Sequence, residues 1–165
     1  MSPLRFFVLA LIALAVFMLI RSARIGGLRE TVPLRPVILY YYQVEKDRDE
    51  AGNILCSRAG LTPVFRAVPD SAAVIEETVR LLIRGELSAE ERASGFTSEY
   101  PIAGFSLTDA SLSDGVLTLS FSDSESRTSG GACRVGILWF QIEMTARQFP
   151  EVREVRLLPE ELFQP

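Results

Sequence analysis

The chain has 165 residues, of which 48% are apolar and 23% are charged, with one Trp and no His. This composition is typical of one globular domain with an added apolar segment, and it excludes a disordered or fibrous chain. Residues 31–165 hold 13 basic and 20 acidic side chains (17 minus 4, and 21 minus 1), and the resulting charge of −7 argues against nucleic-acid binding, which requires Lys and Arg to neutralise phosphates.

The first predicted element is an apolar segment, Phe6 to Ile20, that contains no polar side chain. As a helix it would span about 22 Å, and snorkelling by Arg5 and Arg21 extends its reach toward the roughly 30 Å of a hydrocarbon core. The residues after it lack the pair of small side chains that signal cleavage requires. The sequence therefore favours an uncleaved anchor over residues 1–22, with a cleaved signal peptide and a buried core helix as alternatives.

Residues 23–35 contain Gly26, Gly27 and Pro33, which indicates a juxtamembrane linker. The domain is predicted over 36–160, followed by a tail at 161–165. Val37 to Tyr42 is a continuous β-branched and aromatic run, which predicts a central strand covered on both faces. After the charged turn 45–50, a second strand is predicted over 61–68.

A helix is predicted next, with Asp70 or Ser71 as its N-cap and Gly85 at its C-terminus. Residues 88–104 are expected to form a loop that has room for a short helix. Asp114-Gly115 is a two-residue hairpin signal, and it pairs Leu112 with Leu117 and Ala110 with Leu119. The change of parity between Leu107 and Ala110 requires either a bulge near Asp109 or a strand that changes its buried face.

Residues 122–131 are rich in Ser and Gly and are expected to form a mobile, unpacked loop. The last helix is predicted over 132–148 and is stopped by Pro150. Its apolar face is Val135, Leu138, Ile142, Thr145 and Phe149, and its polar face is Arg134, Gln141 and Gln148. A short final strand lies within 152–158. The order β-β-α-β-β-α-β predicts an α+β fold, a small mixed sheet with two helices, preceded by one N-terminal transmembrane helix.

The absence of His removes the commonest general base and the imidazole metal ligand, and no catalytic, metal or cofactor site is expected. Two acidic clusters have an alternative interpretation. Glu86, Glu90, Glu91 and Glu99 precede the hairpin and could supply paired carboxylates for glycan cleavage, although a solvated loop is favoured. Asp47, Asp49 and Glu50 have the spacing of oxygen ligands but lack the Gly and distal Glu of a calcium loop, which favours a solvated turn.

Cys56 and Cys133 are the only cysteines. Their spacing is too long for a local metal site, so two alternatives stay open: two buried free thiols, or one disulfide. An even cysteine count favours the disulfide if the compartment is oxidising.

Several short stretches between residues 36 and 158 carry a family resemblance. They are the opening VILYYYQ, the helix ending LLIRG at 81–85, the pair Tyr100-Pro101, GVLTLS at 115–120, and FPEVREV at 149–155. In this order they resemble the GerMN domain, named after the spore germination protein GerM of bacteria. The chain departs from that pattern with Glu86 in place of a common Pro, with one domain copy, and with no lipid-attachment Cys.

The resemblance implies an extracytoplasmic, non-enzymatic domain that is attached to the cell membrane and linked to cell-wall or sporulation machinery. Its expected partners are the membrane and either envelope proteins or peptidoglycan, with self-association as a further hypothesis. The alternative is a peptidoglycan-binding or glycan-cleaving envelope protein. The arginines that follow the apolar segment, Arg21, Arg24, Arg29 and Arg35, favour the opposite orientation, with the domain in the cytoplasm. Between the two, we expect a single-pass protein whose domain faces the extracytoplasmic side.

Overall fold

The computed structural model describes residues 32–164 together with Ile12, Leu14, Phe17 and Met18. The chain divides into two compact units, Met1–Val32 and Pro33–Pro165. The four described residues of the first unit before residue 20 are helical and exposed, and the rest of the predicted anchor lies outside the described residues. Within the described part of the chain, no helix combines the length and the apolar character that crossing a membrane requires.

The second unit is an α+β domain. Its described strands are β1 (Leu34–Tyr42), β2 (Leu61–Pro69), β3 (Phe105–Ser113), β4 (Val116–Asp123) and β5 (Glu154–Leu158), and its helices are α1 (Val74–Ile83), α2 (Ala89–Ala93) and α3 (Ala132–Ala146). The predicted fold class is confirmed. The single mixed sheet with two helices is wrong, because the described strands form two sheets and Ser88 and Glu91 form a capping box that starts the additional short helix α2.

The first sheet pairs β1 with β2 in antiparallel register, from Leu34 opposite Pro69 to Tyr42 opposite Leu61. The predicted central position of β1 is wrong, because none of the described strands pairs with its other edge. Side chains close that edge instead. The backbone N–H of Ile38 donates to Gln148 Oε1 and that of Tyr40 donates to Thr145 Oγ1, at 2.7 and 3.0 Å. An isolated bridge to Thr97 extends this closure to Tyr42.

The second sheet has the order β3-β4-β5. The predicted hairpin is confirmed: Leu112 lies opposite Leu117 and Ala110 opposite Leu119. Asp114 and Gly115 both have positive φ, at 50° and 80°, as a tight two-residue turn requires. The bulge is also confirmed, since the register shifts between Leu107 and Asp109. β5 runs parallel to β4, which makes this sheet the mixed one.

One apolar core joins α1 and α3 to both sheets, and the predicted inner face of α3 is buried throughout. The predicted N-cap of α1 is wrong. Ala73 occupies the N-cap position and contributes no side-chain hydrogen bond, while Ser71, two residues before it, accepts from the Ala73 N–H through its Oγ. The predicted C-terminus is confirmed, because Gly85 has a φ of +66° and donates its N–H to the Leu82 carbonyl oxygen.

Two polar residues, Gln141 and Thr128, are buried although the sequence predicts that they are exposed. Gln141, predicted on the polar face of α3, is only 1% exposed. In the loop after β4, the Asp123 carboxylate accepts hydrogen bonds from the N–H groups of Arg127 and Thr128 and from Thr128 Oγ1. Thr128 is consequently 3% exposed, and the expectation of an unpacked loop is wrong at this residue.

Candidate interaction sites

Each of the four acidic residues before the hairpin accepts a hydrogen bond or forms an ion pair within the domain. Glu91 accepts from Arg66 Nη2 at 2.7 Å and from the Ser88 N–H at 2.8 Å. Glu86 pairs with Arg84 at 3.0 Å, and Glu99 pairs with Arg134 at 2.5 Å. The carboxylate of Glu90 accepts a hydrogen bond only from Ser88 Oγ among the described residues. The carboxylates therefore serve as ion-pair and capping groups.

The protonation of Glu91 is the reverse of what an acid catalyst needs. A glycosidase general acid has a raised pKa, so that it holds a proton near neutral pH. The hydrogen bond from Arg66, with smaller help from the Ser88 N–H, lowers the pKa of Glu91 despite its partial burial. Glu91 is thus a fixed negative charge that ties α2 to β2.

Asp47 is the centre of a buried polar network in the segment between β1 and β2. It is 1% exposed, and its carboxylate accepts from Tyr42 OH at 2.6 Å, from the Ser57 N–H at 2.6 Å and from Ser57 Oγ at 2.5 Å. Burial opposes ionisation of this carboxyl, but the hydrogen bonds from Ser57 and Tyr42 outweigh it and lower the pKa. The interpretation of Asp47 as part of a solvated turn is wrong.

No group of three or more His, Cys, Asp or Glu among the described residues could hold a metal ion. In the turn after β1, the Asp49 carboxylate accepts hydrogen bonds from the backbone N–H and the side-chain amide of Asn53, at 2.8 and 2.9 Å. Asp47 and Asp49 therefore act on neighbouring protein groups, each through its own set of hydrogen bonds.

Cys56 and Cys133 form a disulfide that spans 77 residues of sequence, with Cα atoms 5.1 Å apart. It fastens the segment around Ser57 to the first turn of α3. A nearby ion pair joins the same parts, since Arg58 contacts Glu143 of α3 at 2.5 Å and its guanidinium lies 4.0 Å from the centre of the Phe140 ring. The segment before β2 is therefore fixed to the helix by three different interactions.

A cleft of about 410 Å³ lies between α3, β5 and the C-terminal segment. Its helix wall is Ala132, Val135, Gly136 and Trp139, and its opposite wall includes Val155, Leu157 and Phe163. Most of these side chains are apolar, and Glu154, Arg156 and Glu160 supply charge. The volume falls in the range of small-ligand sites.

The other candidate is the solvent-facing side of the β1–β2 sheet, here called the outer face. It consists of alternate residues of the two strands: Leu34, Pro36, Ile38 and Tyr40 of β1, opposite Pro69, Ala67, Phe65 and Pro63 of β2. None of these side chains is charged. Leu34 is 68% exposed and Phe65 is 72% exposed, whereas Leu39 and Val64, on the inner face, are buried. Contiguous exposed apolar surface of this kind marks interaction sites.

Sequence reasoning missed this outer face. The run VILYYY predicts a strand covered on both faces, and this is wrong for the outer face, because a continuous apolar run hides the alternation of inner and outer residues. The available signal lies in the second strand, where Val64 and Val68 share one face and Phe65 shares the other face with Pro63. A large apolar residue on the same face as a proline indicates an exposed apolar surface. The cleft beside Trp139 had no such signal, because its walls come from three distant segments.

Fold and surfaces together define a small disulfide-linked α+β domain that holds the acidic residues before its hairpin in ion pairs and caps and exposes one apolar sheet face. The family model described as "Germane: Sporulation and spore germination" matches residues 38–161. The chain belongs to this family, and the GerMN resemblance is confirmed.

Among solved structures, the chain is similar to the tandem GerMN domains of the sporulation protein GerM from Bacillus subtilis. The identity is 17% and the TM-score is 0.49, over 82% of this chain. The match covers 43% of that structure, so this chain spans less than half of its length. No curated protein matches by sequence.

Proposed function

We propose that this protein is a membrane-anchored, extracytoplasmic, non-enzymatic module that scaffolds or helps to assemble a cell-envelope complex related to the cell wall or sporulation. The observation that carries the proposal is the apolar outer face on a domain of the Germane family. An exposed face without charged side chains offers contact area to a partner.

Two observations support the location. Disulfides form and persist in oxidising compartments, and the bond between Cys56 and Cys133 is of the long-loop type that stabilises a domain there. The apolar segment Phe6 to Ile20 precedes the domain and would hold it at the membrane. The segment accounts for the attachment, and the disulfide favours the extracytoplasmic orientation over the one that the flanking arginines indicate.

The non-enzymatic character is supported by the way the acidic residues are used. Glu91 and Glu99, which a glycan-cleaving protein would need to keep available, are paired with Arg66 and Arg134. Nucleophile and base pairs that depend on His cannot form in this chain. Peptidoglycan or an envelope protein would then be bound rather than cleaved.

The test is to purify the full chain in mild detergent and measure three quantities in parallel: sedimentation with isolated peptidoglycan, recovery of envelope proteins after crosslinking in cells, and self-association. We expect at least one kind of partner and no release of soluble fragments from peptidoglycan. Fragment release that is abolished by Glu99→Gln and retained in Glu125→Gln, an exposed carboxylate outside the cluster, would instead establish the glycan-cleaving alternative. Loss of all three associations would contradict the scaffold role.

A further inference from the structure

The β1–β2 sheet has two faces and two edges, and one face and one edge are already occupied. Its inner face packs on the core through Val37, Leu39 and Val64. The outer edge of β1 is closed by Gln148 and Thr145, as described above. What the remaining boundaries can bind therefore depends on the edge of β2 and on the outer face.

The free edge of β2 is poorly suited to accept another strand. Because Ile38 and Tyr40 direct their N–H groups away from β2, the intervening residues Val37, Leu39 and Tyr41 make the ladder bonds with their opposite partners. The outward positions of β2 then include Pro63 and Pro69, which have no N–H to donate. Prolines at such positions prevent strand addition.

The outer face is therefore the open boundary of this sheet, and its position in the chain indicates what covers it. β1 is the first strand of the domain, and thirteen residues (21–33) separate Leu34 from Ile20, the end of the apolar segment. Fully extended, that linker reaches at most about 45 Å. A short tether keeps the face at high effective concentration near the surface to which it is attached, so that a modest apolar contact is sufficient.

We infer that the outer face lies on the lipid surface to which the Phe6 to Ile20 segment is anchored, with Leu34 and Phe65 entering the interfacial region. This inference rests on the proposed membrane anchor. The contact is apolar rather than electrostatic, because the face carries no charge and residues 31–165 have a net charge of −7 (13 minus 20). Binding through the face accordingly needs no anionic lipid and resists salt.

The test uses the full chain reconstituted in vesicles of phosphatidylcholine alone, with an environment-sensitive fluorophore attached to Phe65→Cys. Some of the vesicles contain lipid with a quencher in the upper acyl chain. Ser111→Cys, exposed on the other sheet, is the matched labelling control, and both labels are added without reductant so that the disulfide is retained. We expect several-fold stronger quenching at position 65 than at position 111, unchanged by high salt.

A second variant protects the test from a labelling artefact. Leu34→Asp places a charge on the face at a position where the side chain is mostly exposed, so the fold should persist, and it should reduce quenching at position 65. Leu55→Asp, on a comparably exposed Leu outside the face, should leave the quenching unchanged.

Equal quenching at positions 65 and 111 in vesicles that carry the protein overturns the inference but leaves the anchor intact. A fluorescence change at position 65 that depends on protein concentration, or that appears only when an envelope protein is added, also overturns the inference. Failure of the protein to float with vesicles contradicts the proposed membrane anchor itself.

Discussion

The side-chain amide of Gln148 hydrogen-bonds to both backbone groups of Ile38. Its Oε1 accepts from the Ile38 N–H, and its Nε2 donates to the Ile38 carbonyl oxygen, both at 2.7 Å. Nε2 also donates to the carbonyl oxygen of Thr145 at 2.6 Å, which fixes the amide to the end of α3. One side chain thus takes the place of a neighbouring strand and prevents growth of the sheet at β1.

Gln148→Ala should destabilise the domain by about 1–3 kcal/mol, because it leaves the part-buried N–H and carbonyl of Ile38 without partners. The urea midpoint measures this loss. Gln164→Ala, which removes one exposed hydrogen bond to the Glu160 carbonyl, is the matched control and should change little. Equal midpoints for wild type and the Gln148 variant would show that the edge needs no such closure.

Asp47→Asn should destabilise the domain by about 2–4 kcal/mol at pH 7, since it weakens charge-assisted hydrogen bonds in a buried network. The folded pKa of Asp47 is below its unfolded value, so the carboxylate contributes its stability above the unfolded pKa of about 3.9. That contribution is lost as the pH falls through the folded pKa. The difference between variant and wild type should therefore shrink below about pH 4.

Urea titrations at several pH values test this prediction, with the exposed Asp70→Asn as the control. A difference that is constant from pH 7 to pH 3 would mean that the packing of Asp47, rather than its charge, accounts for the loss.

Gly85→Ala should be more damaging than Gly95→Ala, although both glycines have positive φ. A Cβ at Gly95 meets nothing within 4 Å, so that variant has only the backbone strain of roughly 1–2 kcal/mol. A Cβ at Gly85 collides with the backbone carbonyl of Tyr100, and the total loss should reach about 3 kcal/mol or more. Thermal or urea unfolding of the pair measures the difference, and equal effects would contradict the close approach.

Reduction of the disulfide between Cys56 and Cys133 should lower stability by about 2–4 kcal/mol, because the bond closes a long loop in the unfolded chain. The urea midpoint with and without reductant gives this value, and Cys56→Ser with Cys133→Ser should reproduce the reduced state. A denatured thiol count of two in the absence of reductant would contradict the bond directly.

The parts of the fold that could be predicted from the sequence depend on local chemistry. Asp114-Gly115 sets the hairpin register because few residues tolerate its backbone, and Gly85 marks a helix end for the same reason. The division into two sheets could not be predicted, because it depends on Gln148 and Thr145 taking the place of a strand beside β1. Both appear in the sequence as ordinary residues of an amphipathic helix.

For the acidic residues too, the sequence identifies the side chains but not their partners. Glu91 and Glu99 could be identified as acidic loop residues, but their partners Arg66 and Arg134 lie 25 and 35 residues away in sequence, and only the fold brings them together. The charged neighbours of Asp47 in sequence predict a solvated turn, whereas the groups that bind it come from Tyr42 and Ser57.

The side of the membrane on which the domain lies can be measured by the accessibility of Cys56 and Cys133 in cells. Intact cells are treated with a mild reductant and then with a membrane-impermeant thiol reagent, and a parallel sample is lysed before labelling. A cytoplasmic protein with exposed thiols reports leakage. For an extracytoplasmic domain, we expect the labelling in intact cells, after reduction, to equal the labelling in the lysate. Labelling only after lysis would place the domain in the cytoplasm and contradict the proposed orientation.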